Sequence, residues 1–550
     1  MFGIKITKSE WWFVGLIAGI IIVCTSIPFV FGYMYAPKDA YFTGIHSLAP
    51  GDYHVYFSNI LETYKGHFLY RDLYTTESTR YNIINTFWNF AGMIGKVFSF
   101  SPILAFHAAR IAAIPILLFT LYVFASYLYR ELNKRKFFFL FLCFASGVGA
   151  YLEPLFANVD MDGGYYGKPM DVWVAESNIF LSMLHSGHMV LSLALLVIIF
   201  LLYLVGLERQ KFIYCVIAGA LSLLLLSFHP FLFPIICAVI FSHILYLFAT
   251  KNKQNIRAFY QGAIILLISA PMLLYYAFIM TNDIVSRVRA EQNINLTPMP
   301  HLILLSYGFL FIFGVCGIYR FLKQKEKDDI KIFLLIWLVA QIIIIYLPFN
   351  FQRRMVEGLS IPLIFFAFEY LWYLYPRIEN TIKSVFIKKY IFNNPVAAIY
   401  ILAMLFGASN VFVWARDIAL SIEANPSVYI SQKEKLSMQW LSDRPEDTVR
   451  ILADVNSAHF ISGISGKTVF AGHAVETLYF SDKEKKVQKF FQDNIFDNEK
   501  FEFLRNYGIT HIYYGSREKM LGKYSPEEKK YLSTVFDSGE VAIYKVNPKF

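Results

Sequence analysis

Disulfide chemistry is the first thing this sequence does without. Its five cysteines (Cys24, Cys143, Cys215, Cys237 and Cys316) all fall inside apolar segments, and none forms a C-x-x-C pair. That leaves no disulfide framework and no cysteine zinc site. Charge is also scarce: 16% of the residues are Asp, Glu, Lys or Arg, against 57% hydrophobic and 18% aromatic. No G-x-x-x-x-G-K-[ST] motif occurs and no dinucleotide glycine fingerprint opens a helix after a strand, so nucleotide-driven chemistry has no motif behind it. The chain carries no tandem repeat and no low-complexity tract.

Long apolar runs are what it has in place of these. With a mean hydropathy of +0.47 over 550 residues, a soluble domain has too little interior to hide so much apolar surface, and the class is an α-helical polytopic membrane protein. A span needs about 20 mostly apolar residues. On that rule about eleven helices are expected, near 11–35, 102–129, 137–152, 178–206, 212–228, 231–249, 259–280, 302–321, 332–348, 359–375 and 396–415. The first is too long for a signal core and lacks a small-residue cleavage site, so it reads as a retained helix. A net charge of +10 would suggest nucleic acid in a soluble protein. Here the basic residues fall in alternate short gaps ("YRELNKRK", "LERQK", "ATKNKQNIR", "RFLKQKEKDDIK", "PRIENTIKSVFIKK"), the pattern that sets membrane orientation. It predicts a cytoplasmic N-terminus, no nucleic-acid partner and an exterior C-terminal region, and the Lys-, Asn- and Ile-rich usage suggests a prokaryotic plasma membrane. "GLIAG" in the first span matches G-x-x-x-G, a weak signal for helix pairing.

Two exterior segments are large: a first loop at 36–101 and a polar tail at 416–550, giving a membrane domain 1–415 followed by a small domain 416–550. In the tail, strand-like runs ("VRILADV", "KTVFAG", "THIYYG", "EVAIYKV") alternate with charged helical ones ("SDKEKKVQKFFQDN", "SPEEKKYLSTVF"), the pattern of an α/β domain. In the loop, Tyr53, Tyr56, Phe57, Ile60, Leu61 and Tyr64 recur at spacings of three and four, as do Ile84, Phe87, Trp88, Ala91, Ile94 and Phe98. Both stretches predict short amphipathic helices of the kind that lie flat on a membrane. Between them runs a polar segment with Arg71, Asp72, Glu77 and Arg80.

Asp52, in "SLAPGDYHVYF", follows a Pro-Gly turn where such a helix begins. It reads as an N-cap, as a reagent, or as both, since a capped carboxylate can still accept a proton from a substrate.

The stretch "GDYHVYFSNILETYKGHFLYRDLY" resembles the first outer loop of glycosyltransferase superfamily C, and "LPFNFQRRMVEGLSIPL" and "ISGKTVFAGHAVETLYF" are similar to segments of its bacterial members. The resemblance implies transfer of a hexose or pentose from a polyprenyl-phosphate carrier to an unknown glycan, lipid or protein acceptor at the outer membrane face. Asp52 would be the base and no covalent intermediate would form. It implies no cofactor and no metal, because no second acid follows Asp52 in a D-x-D pair. The departing phosphate needs cations, and Arg353 and Arg354 in "FQRRM" stand on the side where basic residues are scarce. Arginine grips phosphate through a planar fork, although contact with phospholipid headgroups would also place arginines there. Further substrate-contacting candidates are His54, Asp72, Arg80, Glu176 and His188, with Arg287 and Arg289 weaker. Asp72 is alternatively a partner for Arg71 or Arg80, and His188 a wetted helix-end histidine. His185 lies with His188 at the start of a span, His229 reads as structural in a tight turn, and Asp160 and Asp162 read as a solvated turn. Two other classes stay open: a secondary transporter of a lipid-linked or anionic sugar, and a non-enzymatic envelope assembly protein. Paired broken helices in two repeats would mark the transporter, and none are seen.

Overall fold

The computed structural model of this chain describes residues 5–78, 82–156, 161–162, 165–326, 328–381, 401–402, 404–444, 448–492 and 496–548. The chain forms two compact units. The first comprises Met1–Pro28, Ala109–Leu273 and Ile294–Asp417, and the second Phe29–Ala108, Leu274–Asn293 and Ile418–Phe550. The helices Lys8–Met34, Pro102–Leu128, Asn255–Asn282 and Ala408–Ile422 contribute residues to both.

Among the described residues seven helices are long and apolar enough to cross a membrane, or eight if a bent pair counts as one span. This is a multi-pass membrane protein. The bend joins Pro300–Tyr307 to Phe309–Leu322 at 94°. Gly308 makes it, with φ +48, and a Cβ there would lie 2.6 Å from both methyls of Val148. The apolar run 178–206 is likewise two helices, Ile179–His185 and Gly187–Arg209, broken at Ser186, whose backbone is extended. Asn178 starts the first of these by accepting the Leu181 N–H at 3.0 Å. The run 137–152 also divides, into Leu132–Phe144 and Gly149–Phe156. Ile213–Leu226 and Asp329–Ile344 are apolar but shorter. Of the run 396–415, residues 396–400 and 403 lie outside the described residues.

The second unit contains a five-stranded sheet in the order Thr468–Val469, Arg450–Leu452, His511–Tyr514, Ala542–Val546, Leu532–Asp537. The first three strands are parallel and the last two add as an antiparallel hairpin. Four of these strands are the runs read from the sequence. The fifth corrects that reading: "SPEEKKYLSTVF" is a short 3-10 turn at Pro526–Glu528 and then a strand, because Thr534 and Val535 are β-branched and Gly539 (φ +82) closes a hairpin. A separate pairing of Ala40–Phe42 with Tyr429–Ser431 ties the loop to the tail.

The two loop helices are Pro50–Tyr64 and Thr86–Val97. The first is buried nearly all round: His54, Ser58, Asn59, Glu62 and Thr63 on its polar side are as enclosed as Tyr53, Phe57 and Ile60. The reason lies in the tail, where helix Val455–Ser465 packs on the face bearing His54. Gly463 allows that approach, since a Cβ there would fall 2.6 Å from His54 Nδ1 and 2.9 Å from its Cα. The second helix buries Phe87, Trp88 and Ala91 and leaves Phe90, Met93, Ile94 and Val97 exposed.

The contact at Gly463 sets the first prediction. Gly463→Val should destabilise the protein by about 1–3 kcal/mol, the usual cost of overpacking, because helix backbone stands in the way. Thermal unfolding of the full chain in lipid nanodiscs checks it, and an unchanged melting temperature would show that the helices do not meet there.

Candidate active site

Asp52 is not the N-cap of its helix. Ala49 holds that position in the left-handed region (φ 44, ψ 55), Pro50 follows it, and no side chain caps. Proline at the first helical position needs no N–H partner, so the start is set by backbone geometry. Asp52 instead donates its own N–H to the Ala49 carbonyl at 3.0 Å. Its carboxylate lies in the first turn, where the helix dipole favours negative charge.

That carboxylate faces a histidine from the tail. Asp52 Oδ1 lies 3.6 Å from His473 Nε2, and the side chains keep 24% and 11% of their exposure respectively. His473 sits in the tight turn Gly472–Thr477. Its Nδ1 accepts the backbone N–H of Val475 and of Glu476, each at 3.2 Å. Thr477 Oγ1 accepts the N–H groups of Gly472 and His473 and donates to the Tyr74 carbonyl at 2.9 Å. The Thr477 N–H closes the turn on the His473 carbonyl at 2.8 Å.

Two more imidazoles adjoin. His459 stacks on His473 with ring centroids 5.6 Å apart, and its other edge meets His54 at 4.9 Å. His54 is fully buried, and among the described residues neither ring nitrogen has a hydrogen-bond partner. Burial first, and the neighbouring His473 second, push its pKa down to about 3. Burial also takes His459 well below the usual range, aided by His54 and His473 and opposed by Asp52. His54, a substrate candidate by sequence, therefore lies in the interior as a neutral ring between Phe57 and Phe460.

Behind the turn lies a buried charged network. Glu476 Oε2 accepts from Arg289 Nε at 2.6 Å and from the Tyr70 hydroxyl at 2.6 Å, and the Arg289 guanidinium lies over the Tyr70 ring at 4.7 Å. Arg71, an expected partner for Asp72, pairs with Glu62 at 3.0 Å instead. Asp72 turns inward, its Oδ1 accepting the Tyr74 N–H at 2.7 Å and its Oδ2 buried with no hydrogen-bond partner among the described residues. Burial, then the charge of Glu476, hold its pKa well above the ordinary carboxylate range despite Arg289. Glu77 takes Lys483 Nζ at 2.5 Å. Arg80 lies outside the described residues, as does Asp160, and the Asp162 side chain is not described.

The arginine candidates belong to the first unit, in the 3-10 turn Gln352–Val356. Arg354 Nη1 bonds Glu176 Oε1 at 2.9 Å, and Arg353 Nη2 bonds Asn295 Oδ1 at 2.5 Å with its guanidinium 4.7 Å over the Trp173 ring. Burial alone would raise the Glu176 carboxyl, but Arg354 and then Arg353 outweigh it and hold its pKa below the usual range. His188 is tied to Ser186 at 2.7 Å and its ring lies 5.6 Å from that of His229, which meets the fully buried Glu357 at 3.0 Å. Sequence reasoning named Asp52, Glu176 and the arginines as candidates and did not name His473, His459, Glu476 or Tyr70. The only signal for the turn was the likeness of "ISGKTVFAGHAVETLYF" to a family segment. Among the described residues no group of three or more His, Cys, Asp or Glu is placed to hold a metal ion.

No protein-family model matches the chain, and no curated protein matches it by sequence. Solved structures do match its fold. The apo oligosaccharyltransferase of Archaeoglobus fulgidus aligns with a TM-score of 0.56 at 13% identity over 96% of this chain and 73% of its own. The archaeal oligosaccharyltransferase AglB of the same organism, in complex with an inhibitory peptide and a dolichol-phosphate, gives 0.52 at 13% identity over 92% and 70%. ArnT from Cupriavidus metallidurans bound to undecaprenyl phosphate gives 0.54 at 9% identity over 96% and 98%. These are membrane glycosyltransferases of superfamily C, and this chain has their fold.

The proton on Asp72 has a measurable consequence. The folded protein binds it more tightly than the unfolded chain, in which the carboxyl titrates near 3.8. Its contribution to stability is therefore whole below that pH and is lost as pH rises toward the folded value. Asp72→Asn, a neutral mimic, should gain in melting temperature relative to wild type as pH rises. A difference that stays flat or shrinks would show that Asp72 is ionised.

Proposed function

We propose that this chain is an inverting glycosyltransferase that moves a sugar from a polyprenyl-phosphate carrier to an acceptor at the extracytoplasmic face of the plasma membrane, with Asp52 as general base. The observation that carries the reading is the placement of Asp52: a partly exposed carboxylate in the first turn of a loop helix, in a chain with the superfamily C fold. The dolichol-phosphate and undecaprenyl phosphate in two of the matching structures support a lipid-phosphate donor.

The chemistry asks little beyond a base and a cationic grip. Phosphate is already a good leaving group, whereas an acceptor hydroxyl is a poor nucleophile and needs a positioned base. Asp52 takes the hydroxyl proton as the acceptor oxygen bonds to the anomeric carbon. The bond to the phosphate oxygen breaks with its electron pair, and attack from the opposite side inverts the centre. Arg353 and Arg354 are assigned to the carrier phosphate on separate grounds: two guanidiniums side by side, oriented by Glu176, Asn295 and the Trp173 ring, suit a planar, bidentate grip on phosphate oxygens. His188 is proposed to contact substrate. The domain limits proposed are 1–415 for the membrane part and 416–550 for the exterior part.

The test is transfer by purified protein in lipid from a panel of radiolabelled polyprenyl-phosphate sugars, with a crude envelope extract as acceptor. Asp52→Asn should keep donor binding and lose roughly 10²–10⁴-fold in turnover, the usual contribution of general base catalysis. Arg354→Ala should mainly weaken donor binding, by roughly 10–100-fold for a lost charged hydrogen bond. Normal turnover in Asp52→Asn removes the base assignment. Unchanged donor affinity after loss of both arginines removes the phosphate assignment.

A further inference from the structure

We propose that His473 positions the Asp52 carboxylate by donating to it through Nε2, and that the Gly472–Thr477 turn serves to hold the ring in that tautomer. This rests on the reading of Asp52 as the base, and it gives the C-terminal region a part in the site.

The tautomer follows from the hydrogen bonds. A neutral imidazole carries one N–H and one acceptor nitrogen. Nδ1 of His473 accepts two backbone N–H groups, from Val475 and Glu476, so the ring proton is on Nε2, the atom that faces Asp52 Oδ1 at 3.6 Å. A shift of about half an ångström closes that gap to hydrogen-bonding range.

The ring is braced from several sides. Thr477 holds the turn to the Tyr74 carbonyl. Gln292 Nε2 donates to the Thr477 carbonyl at 2.9 Å and to that of Val475 at 3.3 Å. Glu476 is anchored by Arg289 and Tyr70. The titratable groups around His473 are Asp52 and His54 on one helix, His459 stacked on its face, Tyr74 at 5.8 Å, Asp72 beyond Tyr74, and Glu476 within the turn.

This geometry distinguishes positioning from proton relay. With Nδ1 occupied by two donors, His473 has no open lone pair for a proton arriving at Asp52. The proton taken from the acceptor rests on Asp52 and leaves to water, and His473 keeps its own Nε2 proton throughout.

Two measurements on the full chain in lipid nanodiscs test this. The first is ring-nitrogen NMR of protein labelled with [15N]histidine, with the His473 signals identified by their loss in His473→Gln. Wild type should show a protonated Nε2 and an unprotonated Nδ1, and Asp52→Asn should move the Nε2 signal far more than the Nδ1 signal. A protonated Nδ1, or an Nε2 signal indifferent to Asp52→Asn, overturns the proposal. The second is the pH profile of kcat/KM for sugar transfer. Losing a donor to the charged carboxylate makes protonation easier, so His473→Ala should move the acidic limb up by roughly one pH unit, and His473→Gln, which keeps a donor near Nε2, should restore it. An equal loss at every pH marks a merely structural residue and also overturns the proposal. Should His473→Ala fail to fold, the wild-type and Asp52→Asn spectra decide alone. Normal transfer by Asp52→Asn with the Nε2–H intact removes the base reading and leaves the positioning geometry standing.

Discussion

A carboxylate taken out of water must be paired, because an uncompensated buried charge costs several kcal/mol. In the second unit that demand falls on Glu476, and it is met by Arg289 and Tyr70, each at 2.6 Å. Three stretches far apart in the chain are thereby fixed to one oxygen atom. Glu476 stands three residues beyond His473, inside a turn closed by its own bonds and braced from outside by Tyr74 and Gln292. Anchoring the one therefore aims the other, and the position of the imidazole next to Asp52 inherits its stiffness from an ion pair that never touches Asp52.

Backbone strain brackets the same place. Ala49, three residues before Asp52, and Tyr479, two residues after Thr477, both lie in the left-handed region at φ 44 and φ 52. Such conformations cost of order 1–3 kcal/mol for residues other than glycine. At Ala49 the strain coincides with a helix start that no side chain caps. The fold sustains an unfavourable start there, and the Asp52 carboxylate in that first turn lies beside His473.

Much of this was legible in the sequence, and the failures share a cause. Apolar runs gave the membrane class because a bilayer core demands about 20 consecutive apolar residues per helix and a soluble interior does not. They did not give the break at Ser186, which leaves hydropathy unchanged. The periodicity of Tyr53, Phe57 and Ile60 identified a helix, but not that its polar face is covered by Val455–Ser465, since a helix bearing a glycine where it meets His54 looks like any other. Asp52 was visible as an acid after Pro-Gly. Its cap assignment failed because capping depends on the dihedrals of Ala49 rather than on residue type. His473 was invisible as a partner because its role is made by Val475, Glu476 and Arg289, and only the last two are charged.

The loop's acids show why Asp52 suits its proposed role. Four lie between residues 50 and 77. Glu62 is held by Lys65, His67 and Arg71, and Glu77 by Lys483. Burial would raise the Glu77 carboxyl, but Lys483 and Thr75 outweigh it and hold its pKa below the usual range, which makes it a good anchor and a poor acceptor of protons. Asp72 has a different defect: it is buried, with its pKa held above the ordinary carboxylate range. Asp52 faces an imidazole N–H and keeps about a quarter of its surface open. General base catalysis needs an acceptor within reach of the substrate's proton, and Asp52 keeps open surface for it.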